Sequence, residues 1–102
     1  MLDVKRYKMP MIKSFRCSDT MALYEGRRVA RFVNFSAIAQ RKLQMLDSAA
    51  TLDFLRSPPG NRLERLKGHR SGQYSIRVND QWRICFVWTS EGPAQVEIVD
   101  YH

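Results

Sequence analysis

The sequence ends in three side chains that can donate or accept protons. Asp100, Tyr101 and His102 follow the strand-like run 97–99 and supply a carboxylate, a phenol and an imidazole. Arg83 is predicted on the preceding strand, and an arginine fork binds a phosphate through two hydrogen bonds. Together they suit RNA cleavage, in which a base deprotonates the ribose 2′-OH, an acid protonates the leaving 5′-oxygen and a cation stabilises the phosphate. His102 suits either proton-transfer role near neutral pH.

Other side chains add binding groups or exclude other chemistry. Lys67 and Arg70, in a basic glycine-bracketed loop, are expected to hold flanking phosphates, and Arg77, expected beside Arg83, is also a candidate for binding RNA phosphate. Neither Cys17 nor Cys85 has a predicted histidine neighbour, which argues against a covalent cysteine mechanism. The histidines lack ligand spacing and the cysteines form no CxxC motif, so the sequence predicts neither a metal nor a cofactor.

The composition indicates one basic domain with an anionic partner. The 102 residues carry 17 Lys and Arg against 10 Asp and Glu, a formal charge of +7. Such an excess on a small domain favours nucleic acid, an acidic protein or anionic lipid as the partner. The sequence shows no membrane span or signal-peptide pattern, and two unpaired cysteines fit a reduced cytoplasmic protein. Residues 1–10 are interpreted as an N-terminal extension or upstream start, and residues 11–102 as the domain.

Hydrophobic periodicity predicts an α+β fold. Apolar residues recur at helical spacing across 35–50, which indicates a helix of about four turns, with a shorter helix near 20–24. Residues 74–78, 82–88 and 96–101 alternate with period two, as strands with one buried face do. We expect a twisted antiparallel sheet with helices packed on one face and a polar face opposite.

The alternation also predicts strand register. Opposing Val78 and Trp82 across the loop 79–81 brings the large apolar residues of both strands to one face, because opposed residues in an antiparallel pair share a face. The same rule pairs Trp88 with Val96 in the last hairpin. Arg83 then lies opposite Tyr101 on the polar face, and a slip of two residues keeps both on that face. Asp100 points the other way, which favours an orienting role for it.

Several segments together resemble the HigB toxins, a branch of the RelE/ParE superfamily. The resemblance covers nearly all of 11–102 and is carried by Leu66-Lys67-Gly68, Tyr74-Ser75-Ile76-Arg77-Val78, Gln81-Trp82-Arg83-Ile84 and Asp100-Tyr101-His102. Residues 11–15 resemble the usual start of the family. The resemblance implies the RelE-like microbial RNase fold.

The resemblance also implies a function. It points to a type II toxin that cleaves mRNA in the A site of the 30S ribosomal subunit and is neutralised by a HigA-like helix-turn-helix antitoxin. Operator DNA is then bound only through the toxin–antitoxin complex. The implied active-site residues are Lys67, Arg83, Asp100, Tyr101 and His102. Glu64 stands where some HigB toxins have histidine; it is a candidate general base, but its negative charge beside an RNA phosphate implies a mild toxin.

Two other functions are open to the same sequence. A ParE-like inhibitor of DNA gyrase would share the fold superfamily without needing the terminal side chains for chemistry. A passive basic RNA-binding module would bind without sequence preference, with a steep dependence on salt, and would not cleave.

Overall fold

Two α-helices and a four-stranded antiparallel sheet organise residues 11–101, the part of the chain that the computed structural model describes. The strands are consecutive in both sequence and space, and short 3-10 turns connect the other elements. The elements are α1 (Ser18–Tyr24), α2 (Ser36–Ser48), β1 (Glu64–Arg65), β2 (Tyr74–Arg77), β3 (Trp82–Thr89) and β4 (Gly92–Asp100). This arrangement confirms the α+β prediction.

The helices form where the periodicity predicts them. α2 buries Ala39, Leu43 and Leu46 against the sheet, as its apolar stripe requires. Neither helix has a side-chain cap at its start. For α2 the reason is the 3-10 turn Ala30–Phe35, which runs directly into the helix and takes the place of a polar cap.

The hairpin between β2 and β3 has the predicted register. Ile76 opposes Ile84, and the amide of Val78 donates to the carbonyl of Trp82 at 2.9 Å. The carboxamide oxygen of Asn79 accepts the amides of Gln81 and Trp82, each at 2.8 Å. Loop 79–81 therefore closes through an asparagine side chain, without the left-handed residue that its length suggests.

The hairpin between β3 and β4 differs from prediction by two residues at Arg83 and by three residues at Trp88. Ile84 opposes Ile98, Arg83 opposes Val99 and Trp88 opposes Pro93, so the predicted pairs Arg83–Tyr101 and Trp88–Val96 are wrong. The register changes at an irregularity between Cys85 and Val87, where β4 carries an extra residue. Gln95, with a positive φ of 53°, lies on this stretch of β4. The even slip keeps Val96 and Ile98 buried on the core face.

The helices lie against one face of the sheet. The core contains α2 side chains, the even-numbered residues Ile76, Ile84 and Ile98 of the strands, and Phe32. The segment before α1 runs beside β4, where Phe15 bridges Val96 in parallel. The opposite face of the sheet is therefore available to the polar side chains of β1 to β4.

Within residues 11–101 no helix combines the length and the apolar character needed to cross a bilayer. The predicted N-terminal extension at residues 1–10 and His102 both lie outside the described residues.

Candidate active site

The face of the sheet opposite the helices carries two rows of polar and charged side chains. One row runs from Glu64 through Ser75 and Cys85 to Glu97, because these residues oppose one another across β1 to β4. The next row pairs Arg77 with Arg83, and Val99 continues it. Strand pairing therefore places Glu64, Arg77 and Arg83 close together, and Tyr101 follows Val99 on the same face.

Arg83 is fixed by hydrogen bonds along one edge of its guanidinium. Nε donates to the Ser75 hydroxyl at 2.7 Å, and Nη2 donates to the carbonyls of Arg62 at 2.5 Å and Ser75 at 3.3 Å. Glu64 Oε1 lies 3.7 Å from Nη2. Nη1 has no hydrogen-bond partner among residues 11–101, which leaves a charged donor for a phosphate.

The burial of Arg83 corrects the expectation of an exposed polar face. Arg83 is 8% exposed and Ser75 is fully buried, because the chain around Arg62 crosses over them. Burying a cation is costly unless it is paired and hydrogen-bonded, and here carbonyls, a hydroxyl and a carboxylate meet that need. A charge held this way in a shielded place acts more strongly on a developing charge than one in water does.

A groove of about 330 Å³ opens beside Arg83 at the 79–81 end of the sheet. It is comparable to the smaller ligand pockets of proteins. Three cations and two carboxylates line it, together with a phenol and an amide. The lining residues are Arg62, Glu64, Arg77, Asn79, Asp80, Arg83 and Tyr101.

Arg62 is a groove residue that the sequence analysis missed. It follows the 3-10 turn Pro59–Asn61 and has a positive φ of 44°, which is uncommon outside glycine. Its carbonyl thereby meets Arg83 while its side chain lines the groove. No sequence pattern identifies it, because the rule that residues two apart share a side holds for an extended chain and Arg62 is left-handed.

Arg77 lies in the groove as predicted but already has a carboxylate partner. Its Nη2 forms an ion pair with Asp80, whose side chain is 99% exposed. An exposed pair of this kind is weak and easily exchanged for another anion. Arg77 can therefore bind a phosphate that displaces the Asp80 carboxylate.

The side chains of Asp100 and Tyr101 lie on different faces of the sheet. Tyr101 lines the groove, is 39% exposed, and has its ring centre 6.0 Å from the Arg83 guanidinium carbon. Its amide donates to the Gln81 carbonyl at 2.7 Å, which fixes its backbone. Asp100 opposes Trp82 on the other face and accepts a hydrogen bond from Gln81 Nε2 at 2.9 Å. The expected divergence of Tyr101 and Asp100 is confirmed, while His102 lies outside the described residues.

Lys67 and Arg70 lie away from the groove. Arg70 donates to Glu97 at 3.3 Å and to Gln73 at 3.1 Å, so its charge is already paired. Lys67 is exposed and precedes the 3-10 turn Gly68–Arg70 without lining the groove. The structure therefore brings together Glu64, Arg77, Arg83 and Tyr101 from the predicted set, and leaves these two basic residues apart.

The cysteines are not arranged as nucleophiles of this groove. Burial raises the pKa of the Cys85 thiol above its usual range. Burial acts in the same direction on Cys17, but hydrogen bonds from Thr20 and Asp19 and the charge of Arg31 outweigh it and lower the pKa of that thiol. Neither cysteine lines the groove. Within residues 11–101, no three His, Cys, Asp or Glu side chains are grouped to hold a metal ion.

Comparison with known proteins gives a family. Residues 13–102 match the model of the HigB-like toxin family, described as RelE-like toxins of type II toxin–antitoxin systems. The chain is 48% identical over 62 residues to Toxin HigB-1 of Vibrio cholerae, and the match covers 61% of this chain and 64% of that protein. It is 42% identical over 53 residues to an uncharacterised protein of Haemophilus influenzae, covering 52% of each. The matches span less than two thirds of either relative.

Proposed function

Because the chain belongs to the HigB-like family of RelE-like type II toxins, we propose that it is an endoribonuclease that cleaves mRNA on the ribosome. The activity stops translation and arrests growth, and it needs no metal. We also propose that the protein acts in the cytoplasm, because the ribosomes are there.

The observation that carries the proposal is the fixed guanidinium of Arg83 beside a carboxylate and a phenol. Its Nε and Nη2 are held by Ser75 and Arg62, and its Nη1 is available to the scissile phosphate. Donors fixed before reaction cost no reorganisation as charge develops, which is the largest single effect in many enzymes. A passive RNA-binding surface has no need of a cation held this rigidly.

The groove residues supply the proton transfers. In our proposal Glu64 accepts the proton of the ribose 2′-OH while that oxygen forms a bond to phosphorus. The bond from phosphorus to the 5′-oxygen breaks, and Tyr101 donates a proton to the leaving oxygen. The products are a 2′,3′-cyclic phosphate and a 5′-hydroxyl. His102 is an alternative partner for either proton transfer.

The remaining residues have supporting roles in this proposal. Arg62 and Arg77 hold phosphates beside the scissile one, and Lys67 and Arg70 contact RNA or ribosome outside the groove. Asp100 orients the end of β4 through Gln81. A HigA-like helix-turn-helix antitoxin neutralises the toxin, and the pair binds operator DNA through the antitoxin.

The decisive experiment maps mRNA 5′-ends after a short pulse of expression. We expect new ends within codons, carrying 5′-hydroxyls, for the wild type and none for Arg83→Ala. Lys13→Gln is a matched control, because it removes an exposed charge beside Pro93, at the other end of β4 from Tyr101. Growth arrest with intact mRNA and DNA damage would instead identify a gyrase inhibitor, and no growth arrest would leave only RNA binding.

A further inference from the structure

A second group of cations extends from the groove toward helix α2. Arg77 lines the groove, and its charge lies close enough to Lys42 of α2 to affect that ammonium, as does the neighbouring Arg41. Arg62 also lines the groove, and it directly follows Asn61, the residue that Lys42 contacts. We call Arg41, Lys42, Arg62 and Arg77 the basic track.

Lys42 is held in place by a buried asparagine. Asn61 is fully buried, and its Nδ2 donates to the Leu55 carbonyl at 3.1 Å and contacts the Met45 sulfur at 3.1 Å. Its Oδ1 accepts a hydrogen bond from Lys42 Nζ. Asn61 therefore holds Lys42 of α2, and Arg62, which lines the groove, directly follows Asn61 in the chain.

Three of the four cations of the basic track form no ion pair with a carboxylate among residues 11–101. None of the ion pairs within residues 11–101 includes Arg41, Lys42 or Arg62, and Arg77 is paired only with the exposed Asp80. Burial, together with the charges of Arg41 and Arg77, lowers the pKa of Lys42. Like charges gathered without partners raise the energy of the free protein, and a bound polyanion relieves that repulsion.

We infer that the basic track binds the phosphodiester backbone of the mRNA strand as it leaves the groove. This inference rests on the proposed ribonuclease function and extends it to a binding segment on α2. A single strand carries a phosphate at every nucleotide, so cations next to the groove can bind phosphates beyond the scissile one. The track thus adds affinity without reading base sequence.

Binding of a single-stranded RNA across a range of salt concentrations tests the inference. The probe is a fluorescent 2′-O-methyl oligouridylate of about 12 nucleotides, a typical length for single-strand sites. It has no 2′-OH and is not cleaved. The variant Arg41→Gln/Lys42→Gln removes two charges, and the amide introduced at position 42 can still donate to Asn61. We expect weaker binding and a salt slope smaller by about 1.4, at about 0.7 per phosphate contact for single strands.

Matched variants separate charge from structure. Lys42→Arg keeps the charge and should bind like the wild type, and Lys13→Gln should leave the slope unchanged. Thermal unfolding should show that every variant is folded under the assay conditions. A double variant with the wild-type slope, or a wild-type chain that does not bind the probe at low salt, would overturn the inference.

Three further outcomes are distinguishable. An effect confined to a duplex RNA hairpin would overturn the assignment to the mRNA strand and point to ribosomal RNA. If Arg83→Ala retains mRNA cleavage while the double variant loses binding, the proposed catalytic role fails and the basic track stands. If Arg83→Ala loses cleavage while the double variant binds normally, the inference about the track fails alone.

Discussion

The hydroxyl of Ser75 accepts a hydrogen bond from Nε of Arg83 at 2.7 Å, and both residues are buried between the sheet and the chain that crosses it. Ser75 and Arg83 lie in adjacent rows of neighbouring strands, so the pairing of β2 with β3 determines this contact. A backbone feature, strand register, thus sets the orientation of the proposed catalytic cation.

Ser75→Ala should lower cleavage without abolishing RNA binding. The variant leaves the Nε of Arg83 without its hydroxyl acceptor, which should cost about 1–3 kcal/mol of stability. A guanidinium that is free to shift should also lower the rate about 10- to 100-fold, because small misplacements of catalytic groups have large effects. The measurement is kcat and KM for mRNA cleavage on translating ribosomes, with the fall expected in kcat.

Thr20→Val provides the control for Ser75→Ala. The Thr20 hydroxyl is also buried and accepts the amide of Ile98 at 3.0 Å, away from the groove. Its loss should reduce stability to a similar degree and leave kcat unchanged. An equal fall in kcat for both variants would mean that Ser75 acts only through stability.

Arg83→Lys should keep RNA affinity and lose cleavage. Lysine retains the positive charge but has one ammonium, which cannot bond Ser75 and Arg62 along one edge while presenting a second nitrogen to phosphate. We expect cleavage to fall about 100- to 1,000-fold, as when a fixed donor to a transition state is removed. Single-turnover cleavage together with oligonucleotide binding measures both effects.

The corresponding control is Arg31→Lys. Arg31 also has a fixed guanidinium, which pairs with Asp19 at 2.9 Å and lies over the Phe32 ring at 4.5 Å, outside the groove. Cleavage by this variant should match the wild type. Full cleavage by Arg83→Lys would show that the mechanism does not need a guanidinium fixed along one edge by Ser75 and Arg62.

The sequence predicts more of the fold than of the site. Alternation of Tyr74, Ile76 and Val78 with their polar neighbours excludes odd slips of the first hairpin, which would bury charge, and the short loop 79–81 selects among the even registers. The bulge in the second hairpin involves a glutamine with positive φ, and nothing in the residue types around Gln95 signals it. Local periodicity cannot report such a backbone irregularity.

The site depends on a contact between distant parts of the chain. The sequence predicts an exposed Arg83, because arginine in an alternating strand usually faces water. Arg83 is buried because Arg62, 21 residues earlier in the chain, adopts a left-handed conformation and directs its carbonyl at the guanidinium. Residue types on one strand predict which groups share a face, but not which segment covers that face.

Tyr101→Phe should separate proton transfer from ring contact. The phenylalanine ring keeps its position about the Arg83 guanidinium, 6.0 Å away in the native protein, and loses only the hydroxyl. If the hydroxyl donates a proton to the leaving oxygen, cleavage should fall about 100- to 10,000-fold with RNA binding retained. Tyr24→Phe removes a phenol elsewhere and should have no effect. Wild-type cleavage by Tyr101→Phe would assign proton donation to His102.

Asp80→Asn should strengthen RNA binding. The substitution removes the carboxylate paired with Arg77 and frees that guanidinium for phosphate. Exposed pairs contribute little, so we expect affinity for the 2′-O-methyl oligouridylate to rise about two- to fivefold. Asp53→Asn is a closely matched control, because Asp53 forms an exposed pair of the same spacing with Arg56 and does not line the groove. An equal gain in both variants would reflect net charge alone, whereas a gain confined to Asp80→Asn would identify Asp80 as a competitor of RNA for Arg77.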